Sequence, residues 1–352
     1  MRNILIVLSS SNVGGAEKQC LYLIEKLKVD HRVGLVLLGK KGEYFEKLLE
    51  AGIPTKYSRG SLFSDIYVLI RSIIEVKPSV QINWLYRADI IGGLVGRIFR
   101  VPKIINSARN TNWPGFSRSK RFAMVFSAKY LANNVVANSR NAAIWHQEIG
   151  YPSEKIKIIS NFIKVKPEYS VSIVSPKKQK PIRLGIASRP VEGKGHRLLI
   201  AAQKILKLRG IESELWFIGH GIPAWEVLRF GLFEEDTNLK LFEGIFDLEQ
   251  WFGSIDIYCG ISEAWESDSN SINEAVLYGL PIIVSDLIES NRYSPEPTIT
   301  NSGDPLSVAT AIESLINRES QEIYRDISTR RRNLIDQRAP DRLFALWKDV
   351  IG

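Results

Sequence analysis

Residues 262–286 of this 352-residue chain read SEAWESDSNSINEAVLYGLPIIVSD and concentrate the side chains best suited to chemistry. Two carboxylates, Glu266 and Glu274, stand eight positions apart across a bend rich in Ser, Asn and Asp. Ala275, Val276 and Leu277 then give a short apolar helical pattern closed by Gly279, and Pro281 precedes an apolar run over 282–284. The pattern predicts loop, helix and buried strand in that order, with Glu266 on the loop and Glu274 inside the helix. Ser271-Ile272-Asn273-Glu274 fits a capping box, in which Glu274 only closes its own helix. The functional reading gives the helix N-terminus to a phosphate, Glu274 to ribose hydroxyls and Glu266 to sugar hydroxyls. The spacing alone does not choose between them.

Two other stretches offer anion-binding chemistry. Ser188-Arg189-Pro190-Val191-Glu192-Gly193-Lys194-Gly195 follows an apolar run. Arg189 and Lys194 thus flank a turn at the carboxyl end of a strand, where a forked guanidinium and a point charge suit a diphosphate. The plain alternative is a solvated loop with surface charges. Near the N-terminus, Ser9-Ser10-Ser11-Asn12-Val13-Gly14-Gly15-Ala16-Glu17 joins a strand to a helix. Adjacent glycines let a backbone approach an anion there, although the pattern is not G-x-G-x-x-G and equally serves a tight strand–helix turn.

The elements that must position these residues alternate. Strands are expected over 4–8, 33–38, 80–84, 104–107 and 134–138, with helices after Gly15 and over 44–50, 62–76, 89–100 and 120–132. Residues 164–180, with two prolines and the Lys177-Lys178-Gln179-Lys180 run, read as a linker. Strands over 182–187, 215–218, 239–242, 256–259 and 282–284 follow, the last of these closing the set. Helices are expected over 196–208, 306–316, 322–334 and 342–350. Strands separated by helices imply parallel, doubly wound sheets, so the class is α/β with two Rossmann-like domains in tandem. Ligands in such sheets bind beyond the carboxyl ends of the strands, and two such domains facing each other enclose a cleft.

Composition narrows the classes. The chain is 45% hydrophobic and 24% charged, as expected of a globular protein with a core. No apolar run reaches the roughly 20 residues that span a bilayer, and 4–8 is too short for a secretory signal. Two distant cysteines, Cys20 and Cys259, and four scattered histidines support neither a disulfide framework nor a metal centre and fit a reducing cytoplasm. The net charge of +9 is uneven: residues 1–163 hold 24 Lys and Arg against 11 Asp and Glu, and the remainder holds 23 against 27. A basic half implies an anionic partner: phosphates, lipid head groups or nucleic acid. Over 116–131, Arg118, Lys120, Arg121 and Lys129 mix with Phe122, Met124, Val125, Phe126 and Tyr130. Such a segment either lies on an anionic membrane or packs as an ordinary helix with a solvated basic face. No RNA- or DNA-binding motif accompanies the charge.

Taken together, the motifs resemble family 4 glycosyltransferases of the GT-B fold. The resemblance rests on strand–Gly14-Gly15–helix, Arg189-x4-Lys194, Gly219-His220-Gly221 after an apolar strand, Glu266-x7-Glu274 and Gly279-x-Pro281. It covers nearly the whole chain in order. Residues 156–163 (IKIISNFI) resemble the segment that ends the first domain, and 84–93 with 107–111 resemble the bacterial surface-polysaccharide branch (O-antigen, capsule, exopolysaccharide).

The resemblance implies a retaining hexosyltransferase that uses a UDP- or GDP-sugar donor and requires no metal. Arg189 and Lys194 would bind the donor diphosphate and stabilise the leaving group. Glu266 would contact the donor sugar, Glu274 the ribose, and the backbone near Asp268, Ser269 and Asn270 the phosphate or sugar. Gly14 and Gly15 would let the first domain close on the donor, and many members carry a His where Arg109 or Arg87 stands here. Ser267 replaces the usual Gly, and Asp268 beside it would set a negative charge near the sugar and tune donor choice. His220 stands where an acid is common. The implied domains are 1–163 for the acceptor, 164–180 as linker, 181–338 for the nucleotide-sugar, and 339–352 as a helix returning to the first. The implied acceptor is a lipid-linked saccharide, reached by a cytoplasmic protein peripheral on the inner face of the plasma membrane; nucleic acid is not an expected partner. Two alternatives stand beside this reading: a GT-B nucleotide-sugar epimerase, and a non-catalytic module that binds a saccharide or partner.

Overall fold

The computed structural model describes residues 1–12, 14–42, 44–111, 117–165, 181–189, 192–219, 238–243, 248–264, 266–289, 293–295 and 297–352. The greater part of the expected linker, and His220 with Gly221, lie outside the described residues. The chain divides into two compact units, Met1–Phe162 with Ala339–Gly352, and Ile163–Arg338.

The first unit is built on β1 (Asn3–Leu8), β2 (Arg32–Leu37), β3 (Thr55–Tyr57), β4 (Val80–Trp84), β5 (Lys103–Ala108), β6 (Asn134–Ala137) and β7 (Ile156–Ile158). They form one parallel sheet in the order β3-β2-β1-β4-β5-β6-β7. Ile4 to Leu8 are buried along the whole strand and pair in register with Val80 to Trp84. A parallel sheet covered on both faces needs such unbroken apolar runs, which is why these strands show no alternation. Around it pack α1 (Gly15–Asp30), α2 (Phe45–Leu49), α3 (Leu62–Val76), α4 (Gly93–Ile98), α5 (Arg118–Phe126) and α6 (Arg140–Glu148).

The two helices expected over 89–100 and 120–132 are each composite. A π-helical turn, Ala88–Gly92, precedes α4, and another, Ser127–Leu131, follows α5. A buried polar chain explains the pairing. Gln81 Nε2 donates to Asn83 Oδ1 (2.8 Å) and to the Gly92 carbonyl (2.7 Å), Asn83 to Asn106 (2.9 Å), and Asn106 to Ser127 Oγ (3.0 Å). Ser127 Oγ donates in turn to the Asp89 carbonyl at 2.5 Å. The widened turns thus exchange helix hydrogen bonds for partners from the sheet.

The second unit repeats the plan with β8 (Ile182–Ala187), β9 (Ser213–Gly219), β10 (Leu239–Glu243), β11 (Ile257–Gly260), β12 (Ile282–Ser285) and β13 (Thr298–Thr300). Its sheet is parallel in the order β10-β9-β8-β11-β12-β13. The run at 282–284 is therefore not the last strand. β13 pairs beyond it, Ile283 with Thr298 and Ser285 with Thr300. The unit's helices among the described residues are α7 (His196–Leu208), α8 (Glu249–Phe252), α9 (Asn270–Tyr278), α10 (Pro305–Asn317) and α11 (Ser320–Gln337).

The chain then leaves the second unit at Arg338 and ends in α12 (Pro340–Ile351), which belongs to the first. Leu343, Phe344, Trp347, Val350 and Ile351 join the core cluster of Ile4, Ile6 and Leu8. Trp347 stacks on Trp84, ring centroids 6.0 Å apart at 19°. In each sheet the strand order reverses beside the first strand, at β1/β4 and at β8/β11, the crevice position where α/β sheets bind ligands.

Candidate functional site

At the β8/β11 reversal a small recess opens, lined by Ser188, Lys194, Tyr258, Glu266, Ser269 and Ser271 among others. Lys194 reaches it because two glycines shape its loop. Gly193 and Gly195 both adopt left-handed φ, +84° and +81°, a conformation glycine reaches at little cost. The Gly193 carbonyl accepts hydrogen bonds from Glu263 N (2.9 Å) and Ser262 Oγ (3.0 Å), which bind the loop to the segment after β11. A side chain on Gly195 would stand 2.2 Å from the Ile261 carbonyl oxygen, so the approach requires glycine. Lys194 Nζ then donates to both oxygens of Glu266, at 2.9 and 2.8 Å.

The helix carrying Glu274 begins earlier than the capping box requires. Ser269 is the N-cap of α9 and Asn270 its first residue. Ser271 and Glu274 therefore sit at the second and fifth helical positions, and the S-x-x-E box does not form. Ser271 Oγ instead accepts from the Tyr258 hydroxyl at 2.8 Å and lies 3.2 Å from Ser269 Oγ. At the other end Gly279 takes φ +82°, with Gly279 N–H on Val276 O (3.1 Å) and Leu280 N–H on Ala275 O (3.0 Å), the paired bonds of a Schellman end. Ile272, Ala275, Val276 and Leu277 are buried.

Tyr258 lies within electrostatic reach of both carboxylates. Burial pushes its phenol well above the usual range, its bond to Ser271 opposes this, and the charges of Glu266 and then Glu274 push it further up. The hydroxyl is therefore held protonated as a donor. Its place near the end of a central strand was the available signal in the sequence, where it reads only as one more core aromatic. His196, the first residue of α7, is buried against Phe217. Burial first, and then the Lys194 charge, lower its pKa to about 4, so it stays neutral beside the lysine.

Asp268 departs from its expected role. Its side chain is fully buried and turned into the fold, 2.6 Å from Arg338 Nη1, and it accepts from Asn273 Nδ2 at 3.0 Å. Tyr293 closes the set by donating to Asn273 Oδ1 at 2.9 Å. Burial disfavours the Arg338 charge, and the Asp268 carboxylate more than restores it, raising the guanidinium pKa. The expected negative charge near the sugar is thus neutralised by an arginine 70 positions away. Asp268 is not among the residues that line the recess; Ser269 after it is.

The other site residues are placed as follows. Arg189 is exposed just past the end of β8. Gly14 is the extended N-cap of α1 and Gly15 its first residue, beyond the carboxyl end of β1. A Cβ on Gly14 would lie 2.5 Å from a carboxylate oxygen of Glu17, the movable end of a flexible side chain. Arg109 follows β5 and is 7% exposed, its guanidinium 4.0 Å from the Trp84 ring centroid and 3.0 Å from Asn161 Oδ1. Gly14, Gly15 and Arg109 belong to the first unit; in the second, Lys194, Glu266 and Ser269 line the recess together, whereas Arg189, Asp268, Asn270 and Glu274 are not among its lining residues.

Comparison with known proteins follows the same division. Residues 13–166 match the family Glycosyltransferase Family 4, and residues 181–318 match Glycosyl transferases group 1. No curated protein matches the chain. Among solved structures it is similar to Anabaena Alr3699/HepE in complex with UDP-glucose, at 19% identity and TM-score 0.80, covering 100% of this chain and 98% of that one. It is similar to a glycosyltransferase from Rickettsia africae ESF-5 at 13% identity and TM-score 0.72, with 100% and 99% covered. The lipopolysaccharide outer core galactosyltransferase WaaB, apo form, is similar at 15% identity and TM-score 0.63, with 97% and 99% covered. The fold is GT-B. The two halves of the chain carry the domains of a glycosyltransferase, a Glycosyltransferase Family 4 domain followed by a Glycosyl transferases group 1 domain.

Proposed function

We propose that the chain is a retaining hexosyltransferase that moves a sugar from a UDP- or GDP-sugar to a lipid-linked saccharide in bacterial surface-polysaccharide biosynthesis. The observation that carries the reading is the recess at the β8/β11 reversal, where a lysine and a carboxylate meet beside the N-terminus of α9. A complex of Anabaena Alr3699/HepE with UDP-glucose supports the donor class.

In this reading Lys194 and Arg189 receive the diphosphate, with the backbone of Asp268, Ser269 and Asn270 at the helix start. Glu274 takes the ribose hydroxyls and Glu266 those of the sugar. Breaking the bond between sugar and diphosphate builds negative charge on the diphosphate and oxocarbenium character on the sugar. Fixed cations and a helix N-terminus favour that state without a bound metal. An acceptor hydroxyl attacks on the face the leaving group vacates, so configuration is retained. Gly14, Gly15 and Arg109 act from the first domain, which takes the acceptor.

Peripheral contact with an anionic membrane, on the cytoplasmic side, fits the acceptor. Among the described residues no helix is long and apolar enough to cross a membrane. α3, α4, α5 and the π turn after α5 are neighbours in the first unit. They expose Phe63, Tyr67 and Ile74, Leu94 and Ile98, and Phe122, Phe126 and Tyr130. Arg71, Arg118, Lys120 and Lys129 are exposed beside them, whereas Asp65 and Asp89 are buried and the exposed Glu75 of α3 is paired with Lys56. Aromatic rings with cations and little exposed acid suit an anionic lipid surface.

A panel of nucleotide-sugars with lipid-linked acceptors tests the reading. Acceptor-dependent release of nucleoside diphosphate supports a transferase. A product of the same mass as the donor identifies an epimerase instead, and no turnover with any donor leaves a binding module.

A further inference from the structure

A second cavity opens in the first unit, between α3 and the corner of the sheet made by β1, β2 and β3, with a volume of about 240 Å³. It lies toward the amino ends of the strands. Thr55 opens β3, Val76 closes α3, and the Val76 carbonyl accepts from Asn3 Nδ2 at 2.9 Å. The β1/β4 crevice lies beyond the opposite, carboxyl ends of the same strands. The cavity is therefore no part of the sites considered so far, and its argument does not rest on the transferase reading.

The walls are apolar. On the face of the sheet toward α3, Val36 and Leu38 of β2 join Leu5, Val7, Leu69 and Ile73 in one core cluster. Gly34, next on that face, supplies no side chain. A Cβ there would stand 3.2 Å from Val76 Cγ2 and 3.5 Å from Leu5 Cδ1, so those two side chains form the wall instead. The two hydroxyls that line the space are turned to their own backbone. Thr55 Oγ1 donates to the Ile53 carbonyl at 3.0 Å, and Ser72 Oγ to the Val68 carbonyl at 2.8 Å. Interiors are close-packed, and a dry apolar cavity of only ~150 Å³ already takes benzene. This space suits several methylene groups better than water, which needs polar partners.

The mouth has a different character. Lys56 lines it and pairs with Glu75, both half-exposed, and Glu75 also feels the charge of Arg71 one turn earlier on α3. The rim sets Lys56 and Arg71 against Glu75 above an apolar floor. A ligand that matches both levels has a hydrocarbon tail and an anionic head.

We propose that this cavity is a binding site for a single-chain fatty carboxylate, its tail between α3 and the sheet and its head at Lys56. The filled site supplies the contacts that α3 and the sheet do not make with each other there, so the ligand stabilises the first unit.

Decanoate, kept below its micellar concentration, is the probe. Calorimetry and thermal unfolding compare it with decanol, which lacks the charge, and butyrate, which lacks the tail. Decanoate should bind at one site and raise the melting temperature by about 2–4 °C, and butyrate should do neither. Ser72→Leu places apolar bulk in the cavity and should weaken decanoate at least about tenfold, while Ser72→Ala, which removes only the hydroxyl, should bind as the wild type does. Lys56→Gln should weaken decanoate about three- to tenfold and leave decanol unchanged. In the unaltered protein, a decanoate with a diazirine at its tail should label Leu5, Leu35 or Val76 on illumination, as read by peptide mass spectrometry. Labelling elsewhere overturns the site even if Ser72→Leu does not fold. Equal decanoate affinity in a folded Ser72→Leu overturns it as well. Decanol bound as tightly as decanoate overturns the role of Lys56. Binding to anionic vesicles with none to monomeric decanoate overturns the proposal and leaves α3 a surface contact alone.

Discussion

Lys194 and Glu266 are 72 positions apart and touch because Gly195 lets one backbone press on another. In the proposed reaction the lysine stabilises charge that grows as the sugar–phosphate bond breaks. Lys194→Ala should therefore lower turnover on the order of 10²–10³-fold, the range for removing one preorganised oxyanion donor. Its melting temperature should move little, since the residue is at the rim of a recess. Activity and melting temperature falling together would overturn the assignment. Tyr258 and Ser271 were not legible as site residues, because one reads as core and the other as a cap. Only the position of α9's first turn shows that Ser271 accepts from a phenol.

At the scale of elements, the strand runs 4–8, 80–84, 182–187 and 282–284 were legible because central parallel strands are apolar throughout. β3, β7 and β13 were not, being three residues each with polar and β-branched composition. Periodicity has nothing to measure over three positions. The start of α9 was misplaced for a related reason. Its first two residues, Asn270 and Ser271, are polar, and an apolar period sees a helix only where it meets the core. The fastening of its loop was not legible at all, since Asp268 meets Arg338 at the end of α11. That ion pair is buried on both sides, 4% and 0% exposed. Removing one partner strands the other, at a cost of about 3–5 kcal/mol. Arg338→Met should thus lower unfolding free energy by that amount in urea titration and weaken nucleoside diphosphate binding through the displaced loop. Asp268→Asn with Arg338→Met should recover part of the loss. No recovery in the double variant would mean the pair is not the fastening.

For the whole molecule, acid sensitivity should arise in both units. His146 in the first and His196 in the second are each buried, and burial lowers each pKa from 6.5 to about 4. Above pH 6.5 neither state takes up a proton at these sites. As pH falls from about 6.5 toward about 4, the unfolded chain binds protons that the folded chain refuses, so stability falls. The loss approaches roughly 3 kcal/mol per histidine at the low end of that window. Urea unfolding at pH 7.5 and 5 checks this: equal midpoints would contradict it. The same scale carries the membrane reading. Neutralising Arg118, Lys120 and Arg121 should reduce binding to anionic vesicles several-fold, and added salt should do the same to the wild type. Binding that is indifferent to both would remove the electrostatic surface.

The return of α12 to the first unit has a consequence for how the protein is made. A ribosome delivers Trp84 early and its stacking partner Trp347 more than 260 residues later. Between them the entire second unit emerges, and it needs nothing from α12 to bury its own clusters. Synthesis therefore favours an order inverted with respect to sequence: the later unit can close first, while the earlier one keeps an unfilled apolar seam along β1 and β4. During that interval the seam is what a chaperone would find exposed. Completion of the first unit is then a single late event, the docking of one twelve-residue helix into a site that has been waiting for it.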